Sequence, residues 1–181
     1  MSIEIRQLLP SDKGILEEVT RLMMAMVLET CPEFEGSAEK AQKALSNFTF
    51  ESMLSMLTMS VPLVDEHRHW IAIEDDVLAG YWIASVKTDM TGQQYGYLFS
   101  VGLKPEYRRR GLGLRFWQTC TEWWKDFELD YLRAETHADN LSAQAFFAQL
   151  GYEQGEVQYG KWRYVVLHHP RTSAKEVLSS S

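Results

Sequence analysis

Cysteine is scarce in this chain of 181 residues: there are two, Cys31 and Cys120, far apart and in no CxxC or Cys/His cluster. That spacing excludes a zinc-finger pattern and a disulfide framework, so no metal is expected. It points to a reducing, cytoplasmic setting. Basic charge is also short. Lys and Arg total 18 against 25 Asp and Glu, for a formal net charge of −7. General nucleic-acid binding needs a basic face and is not expected here. A cationic small partner fits the balance better, although net charge decides little about any one site. No apolar run approaches the length of a membrane span. The opening residues, "MSIEIRQLLPSDKG", hold no basic segment followed by an apolar one, so no secretory signal is expected. Internal repeats and interior linkers are absent.

What is present is a core. Hydrophobic residues make up 45% and aromatics 12%, enough to exclude disorder of the whole chain. One domain over residues 1–169 is expected, with residues 170–181 as a loose tail. "SIEIRQLL" alternates as a strand. Ser11 or Asp12 then caps a helix whose apolar face is Ile15, Val19, Leu22, Met23, Met26 and Val27, ending near Thr30. Two short helices are predicted near residues 37–46 and 50–59. Six methionines lie between residues 23 and 59. They fit soft core filling or an adaptable lid.

From His69 the period becomes two. "HWIAIEDDVLAGYWIASVK" predicts a hairpin turned at Asp75–Asp76, and "YGYLFSVGL" a further strand stopped by Pro105. A helix over about 113–127, the strand "DYLRAETH" and the helix "ADNLSAQAFFAQLGY" follow. This last helix has Asp139 or Asn140 as cap, an apolar face of Ala143, Phe146, Phe147 and Leu150, and Gly151 as terminator. "KWRYVVLHH" closes as a strand. The order predicts a mixed α/β domain with a largely antiparallel sheet and one β–α–β crossover.

The stretch "YRRRGLGLRFW" is basic and glycine-broken in an acidic chain, and it sits between a strand and a helix. The first amides of a helix have no partner within it and carry the positive end of its dipole. Phosphate oxygens accept from them when the backbone comes close. Gly111 and Gly113 remove the β-carbons that would obstruct this, and arginines beside them can pair with remaining phosphate charge. The pattern is neither GxGxxG nor GxxxxGK[ST]. A glycine turn with solvated arginines is the plainer alternative on the local pattern.

Taken together, "VGLKPEYRRRGLGLRF" and, 27 residues after Gly113, "NLSAQAFFAQLGY" resemble the GNAT superfamily of N-acetyltransferases. Arg108, Gly111 and Gly113 match that family's [R/Q]-x-x-G-x-[G/A] signature, with Leu103 and Pro105 as its lead-in. Asn140, Ala143, Gly151 and Tyr152 match its N-x-x-A-x-x-x-Y-x-x-x-G-[F/Y] helix. The resemblance covers residues 69–167. It implies a GNAT-like mixed, largely antiparallel sheet of six to seven strands flanked by helices. It also implies acetyl-CoA as cosubstrate and direct acetyl transfer to a primary amine in a ternary complex. Carried over, the amides of Arg109, Arg110, Gly111, Leu112, Gly113 and Leu114 would bind the pyrophosphate, with the Arg108, Arg109 and Arg110 side chains flanking it. Backbone groups from Val101 to Leu103 would pair with the pantetheine arm as an added strand. One amide there would polarise the thioester carbonyl. Asn140 would bond the same arm, cap its own helix, or both.

Transfer to an amine needs a base to remove a proton. The resemblance implies Glu135 first. His137, two residues on along the same strand face, is second, and a water-relayed base is a third option. One position departs from the family pattern. Phe147 stands where many members carry the tyrosine that protonates the leaving thiolate, and phenylalanine donates no proton. Tyr152, Ser142 or ordered water could serve, or the thiolate could leave unaided. Alternatively the protein is an acyl-CoA-binding sensor of weak activity. The acceptor is a small-molecule or protein amine, and a homodimer is left open. Trp117 and Trp124, seven apart, share a helix face and suit packing better than an aromatic cage. Of Tyr81, Trp82, Tyr95 and Tyr97, some are expected to line the groove opposite the cosubstrate.

Overall fold

The computed structural model describes residues 2–30, 66–159 and 163–169. The helices predicted near 37–46 and 50–59 and the tail at 170–181 lie outside the described residues, as does Cys31. The strands are β1 (Glu4–Gln7), β2 (Glu66–Glu74), β3 (Val77–Thr88), β4 (Gln94–Leu103), β5 (Tyr131–His137), β6 (Glu153–Tyr159) and β7 (Arg163–His168). They form one sheet in the order β1-β2-β3-β4-β5-β7-β6. Every neighbouring pair is antiparallel except β4 and β5, which are parallel. The described helices are α1 (Lys13–Thr30), α2 (Leu112–Trp124) and α3 (Leu141–Gln149). Among them, none is long and apolar enough to cross a membrane.

The local chemistry accounts for most element ends. Asp75 and Asp76 adopt φ of 50° and 64°, the paired left-handed conformation of a two-residue hairpin turn, which Asp tolerates. Asn140 caps α3, its Oδ1 accepting from the Ala143 amide at 3.1 Å. Gly151 ends that helix with φ of 86°. At the start of α1 the Asp12 carboxylate accepts from the Leu9 amide (2.9 Å) and from the Arg6 guanidinium (2.8 Å), and so it fixes the turn out of β1. Both bonds hold its carboxyl below the usual range, the Arg6 bond first. Strand β6, "EQGEVQY", is absent from the sequence reading. It is polar, contains Gly155, and pairs on one side alone, so it never shows the alternation of a half-buried strand.

The two sheet faces bury different helices. On one face α1 sets Leu16, Val19, Leu22 and Met23 against Ile71, Leu78, Tyr81 and Ile83. On the other, α2 and α3 bring Phe116, Trp117, Trp124 and Phe147 onto Trp82, Leu98, Leu132, Ala134 and Val165. The tryptophans of α2 are core: Trp117 meets Trp124 edge-on and Trp123 meets Trp70 edge-on, all of them buried. The aromatic-cage alternative therefore drops out.

Candidate active site

The sheet is irregular at its centre. In the β3–β4 pairing, Ile83 lies opposite Ser100 and Ala84 opposite Leu98, so Phe99 is an extra residue: a β-bulge. Before it, Leu98 points to the α2–α3 side. After it, Val101 and Leu103 do, packed against the same core. The parallel pairing of β4 with β5 also stops there. Four pairs run from Tyr95–Tyr131 to Leu98–Ala134, and beyond them neither strand bonds the other. Residues Glu135 to His137 pair only with β7. The strands thus part into a wedge whose walls are the backbone of residues 99–103 and 135–137. An open strand edge of this kind is a template for an extended ligand arm.

At the far end of the β4 wall, a 3-10 turn (Pro105–Tyr107) leads into α2. Arg109 has φ of 60° and Gly111 φ of 75°. Gly111 occupies the N-cap position, and no side chain caps the helix. The amides of Arg109 through Leu114 find no acceptor among the described residues, and the first bonded amide is that of Arg115, on the Gly111 carbonyl. Successive amides in left-handed and right-handed turns form a concave anion nest, here at the positive end of a helix dipole. A β-carbon on Gly111 would meet nothing within 4 Å, so the turn is open to solvent. One on Gly113 would lie 3.2 Å from the Phe146 ring, so its absence lets α3 close on the start of α2. This donor set fits a diphosphate.

The three arginines divide. The Arg108 guanidinium is bidentate to Glu29 of α1, at 2.6 and 2.7 Å, and its Nε donates to the Leu103 carbonyl at 3.1 Å. Arg110 pairs with Glu74 at 3.2 Å and lies over the Tyr107 ring. These two, expected to flank phosphates, have their charge met here by carboxylates. The Arg108 bond holds the Glu29 carboxyl low, outweighing burial, which pushes it up. Only Arg109, exposed and without an ion pair or hydrogen bond among the described residues, keeps its guanidinium available beside the nest.

On the β5 wall, Glu135 follows the last β4–β5 pair directly. Its Oε1 accepts from Arg133 at 2.7 and 3.1 Å, and it is about a quarter exposed (28%). His137 is buried, its Nδ1 accepting from the Asp139 amide at 3.3 Å. That bond makes it part of the β5–α3 connection, which Gln144 also ties down through the Ala138 carbonyl at 2.8 Å. Phe147 is 3% exposed and packs on Phe146 and Tyr152. The Tyr152 hydroxyl is fully buried without a hydrogen-bond partner among the described residues, and burial, with the nearby Cys120, raises its pKa well above normal. It packs edge-on against Trp117 in the core. Ser142 is exposed on the first turn of α3. Of the four central aromatics, Tyr81 and Trp82 are core, Tyr81 bonding Ser100 Oγ at 3.0 Å. Tyr95 and Tyr97 are half-buried on the face opposite α2 and α3.

The described residues include no group of three or more His, Cys, Asp or Glu side chains placed to hold a metal ion.

A parallel strand pair that parts beside an amide nest suits a diphosphate with an extended arm, and comparison with known proteins gives the family. Residues 24–152 match the model of the acetyltransferase (GNAT) family, and the chain belongs to that family. A Bacillus subtilis (strain 168) protein, provisionally named a ribosomal protein bS18-alanine N-acetyltransferase, is 28% identical over 100 residues. That match covers 53% of this chain and 61% of the relative, so it spans less than two thirds of the relative's length. Among solved structures, the PaiA N-acetyltransferase of Thermoplasma acidophilum in complex with coenzyme A superposes with a TM-score of 0.67 at 21% identity. It covers 92% of this chain and 98% of that one. The NatC complex bound to Gag peptide and CoA gives 0.66 at 13% identity, covering 95% and 100%. At these identities the structural matches establish the fold.

Proposed function

We propose that this chain transfers an acetyl group from acetyl-CoA to a primary amine, both bound at once in the wedge. Acetyl-CoA brings the activated thioester. The chain's own groups do the rest. The amides of Arg109 to Leu114 hold the diphosphate, with Arg109 beside them. Backbone groups of Val101 to Leu103 align the pantetheine arm along the open edge of β4, and an amide of that strand polarises the acyl carbonyl. Asn140 caps α3 through its oxygen and keeps its amide nitrogen for the same arm. Glu135 takes the amine proton, and Arg133 holds the carboxylate in place. The single observation that carries this reading is the uncapped, left-handed turn at Gly111, opening where β4 and β5 part. The buried, free Cys120 suits a cytoplasmic protein.

The first test is acetyl-CoA binding by thermal shift, with a short oligonucleotide as control, followed by a thiol-release screen over primary amines. Glu135→Gln is expected to lower kcat about 100-fold with little change in acetyl-CoA affinity. Unchanged turnover would remove Glu135 from the mechanism.

A second reading has its own observation. With Phe147 in the core and the Tyr152 hydroxyl beside Cys120, neither side chain supplies an acid. An acyl-CoA sensor of low activity fits that as well. Binding of acetyl-CoA without thiol release across the whole screen would select the sensor.

A further inference from the structure

The sheet face opposite α2 and α3 carries a row of rings beside Glu135. Tyr95 stacks on Tyr131 (4.8 Å, 5°), Tyr97 stands edge-on to Tyr95, and Phe99, at the bulge, stands edge-on to Tyr97. Lys87, paired in register with Tyr95, lays its ammonium 4.0 Å from the centre of the Tyr97 ring. The other charges on this face are accounted for. Arg133 and Glu135 pair with each other. Asp89, at the strand end, accepts from Thr91 and from the Gln93 amide, and it takes the Tyr131 hydroxyl at 3.1 Å. His168, opposite Arg133 in register, is held toward its neutral form by burial and by Arg133. Among the described residues, Lys87 alone of these has a ring beneath it and no anion in contact. Burial pushes its ammonium pKa down, Glu135 opposes that, and Arg133 adds to it. Glu135 acts on this ammonium only at a distance; a half-buried cation with no contacting counter-ion is costly, and the cost is relieved when a ligand supplies one.

We infer that Lys87, seated on Tyr97, is the specificity-determining cation of the acceptor site and pairs with a carboxylate carried by the acceptor amine. The inference rests on the acetyltransferase reading and deepens it: the acceptor class becomes primary amines that bear a carboxylate. It also reverses what the net charge of −7 suggests, because the charges on this face, and not the chain total, meet the acceptor.

Matched amines test it: glycine with glycinamide, β-alanine with β-alaninamide, and γ-aminobutyrate with butylamine, each assayed by thiol release. The acid form of at least one pair is expected to show kcat/KM at least tenfold above its neutral partner. Lys87→Met is expected to abolish that preference through a rise of at least tenfold in KM for the acid, with kcat within threefold, and Lys87→Arg to restore much of it. Thermal shift with acetyl-CoA confirms that each variant is folded and binds the cosubstrate. Equal or better turnover of the neutral partners overturns the inference. So does a preference that survives Lys87→Met, or turnover of none of the acids by protein that binds acetyl-CoA. A wild-type chain that fails to bind acetyl-CoA at all would instead sink the acetyltransferase reading beneath it.

Discussion

At Gly111 the backbone sits at φ of 75°, yet a β-carbon there would touch nothing within 4 Å. The need for glycine is therefore conformational. Gly111→Val should cost about 2 kcal/mol of local strain and push the turn toward ordinary φ, swinging the amides off their common focus. Titration calorimetry is expected to show acetyl-CoA affinity weakened at least tenfold, and unaltered affinity would contradict the nest. His69 makes a second residue-scale case. It is 2% exposed, its Nδ1 has no hydrogen-bond partner among the described residues, and burial, with His67 nearby, lowers its pKa to about 3. A histidine depressed below its unfolded value of about 6.5 contributes stability that is complete above that pH. The contribution is lost as pH falls toward 3, because the unfolded chain then binds the extra proton. The slope is up to about 1.4 kcal/mol per pH unit. His168 is held low as well and adds to the fall in the same range; Asp12 and Glu29 are also depressed, but they lose their contribution only below the ordinary carboxylate range. Urea midpoints between pH 7 and 5 should therefore fall in the parent and fall much less in His69→Gln. Parallel curves would show that His69 is not the group responsible.

At the scale of elements, the tie between Arg108 and Glu29 joins the end of α1 to the turn before α2 across 79 positions of sequence. Both side chains are at least a third exposed, so solvent screens the pair, and a cost of about 1 kcal/mol is expected for Arg108→Met. Acetyl-CoA affinity should stay within threefold, since in the proposed site the amides and not this guanidinium hold the diphosphate. A large affinity loss at unchanged urea stability would return Arg108 to the phosphates. Most element types were legible from period and punctuation: the Asp–Asp hairpin, the Asn140 cap and the Gly151 stop all rest on residues that act on their own backbone. The exception, β6, is an edge strand of polar residues, and its existence depends on the β7 it pairs with.

For the whole molecule, the two halves of the site lie on different elements that the sheet order brings together. The α2 turn and the β5 carboxylate are each visible as short patterns. The wedge between them is not, because it depends on where the β4–β5 ladder stops, and a ladder is a relation between strands 36 residues apart in sequence. The same is true of the basic turn. Three adjacent arginines look alike in sequence, but folding sets Glu29 against one and Glu74 against another. It leaves Arg109 without a carboxylate among the described residues and seats Lys87 on its ring. The sequence by itself determined the order of elements, their caps and turns, and the glycine-opened nest, since these follow from interactions within a few residues along the chain. Only the tertiary structure decided which charges are already neutralised, which tyrosines are core, and where the sheet parts, since each depends on side chains that meet only when the seven strands are in register.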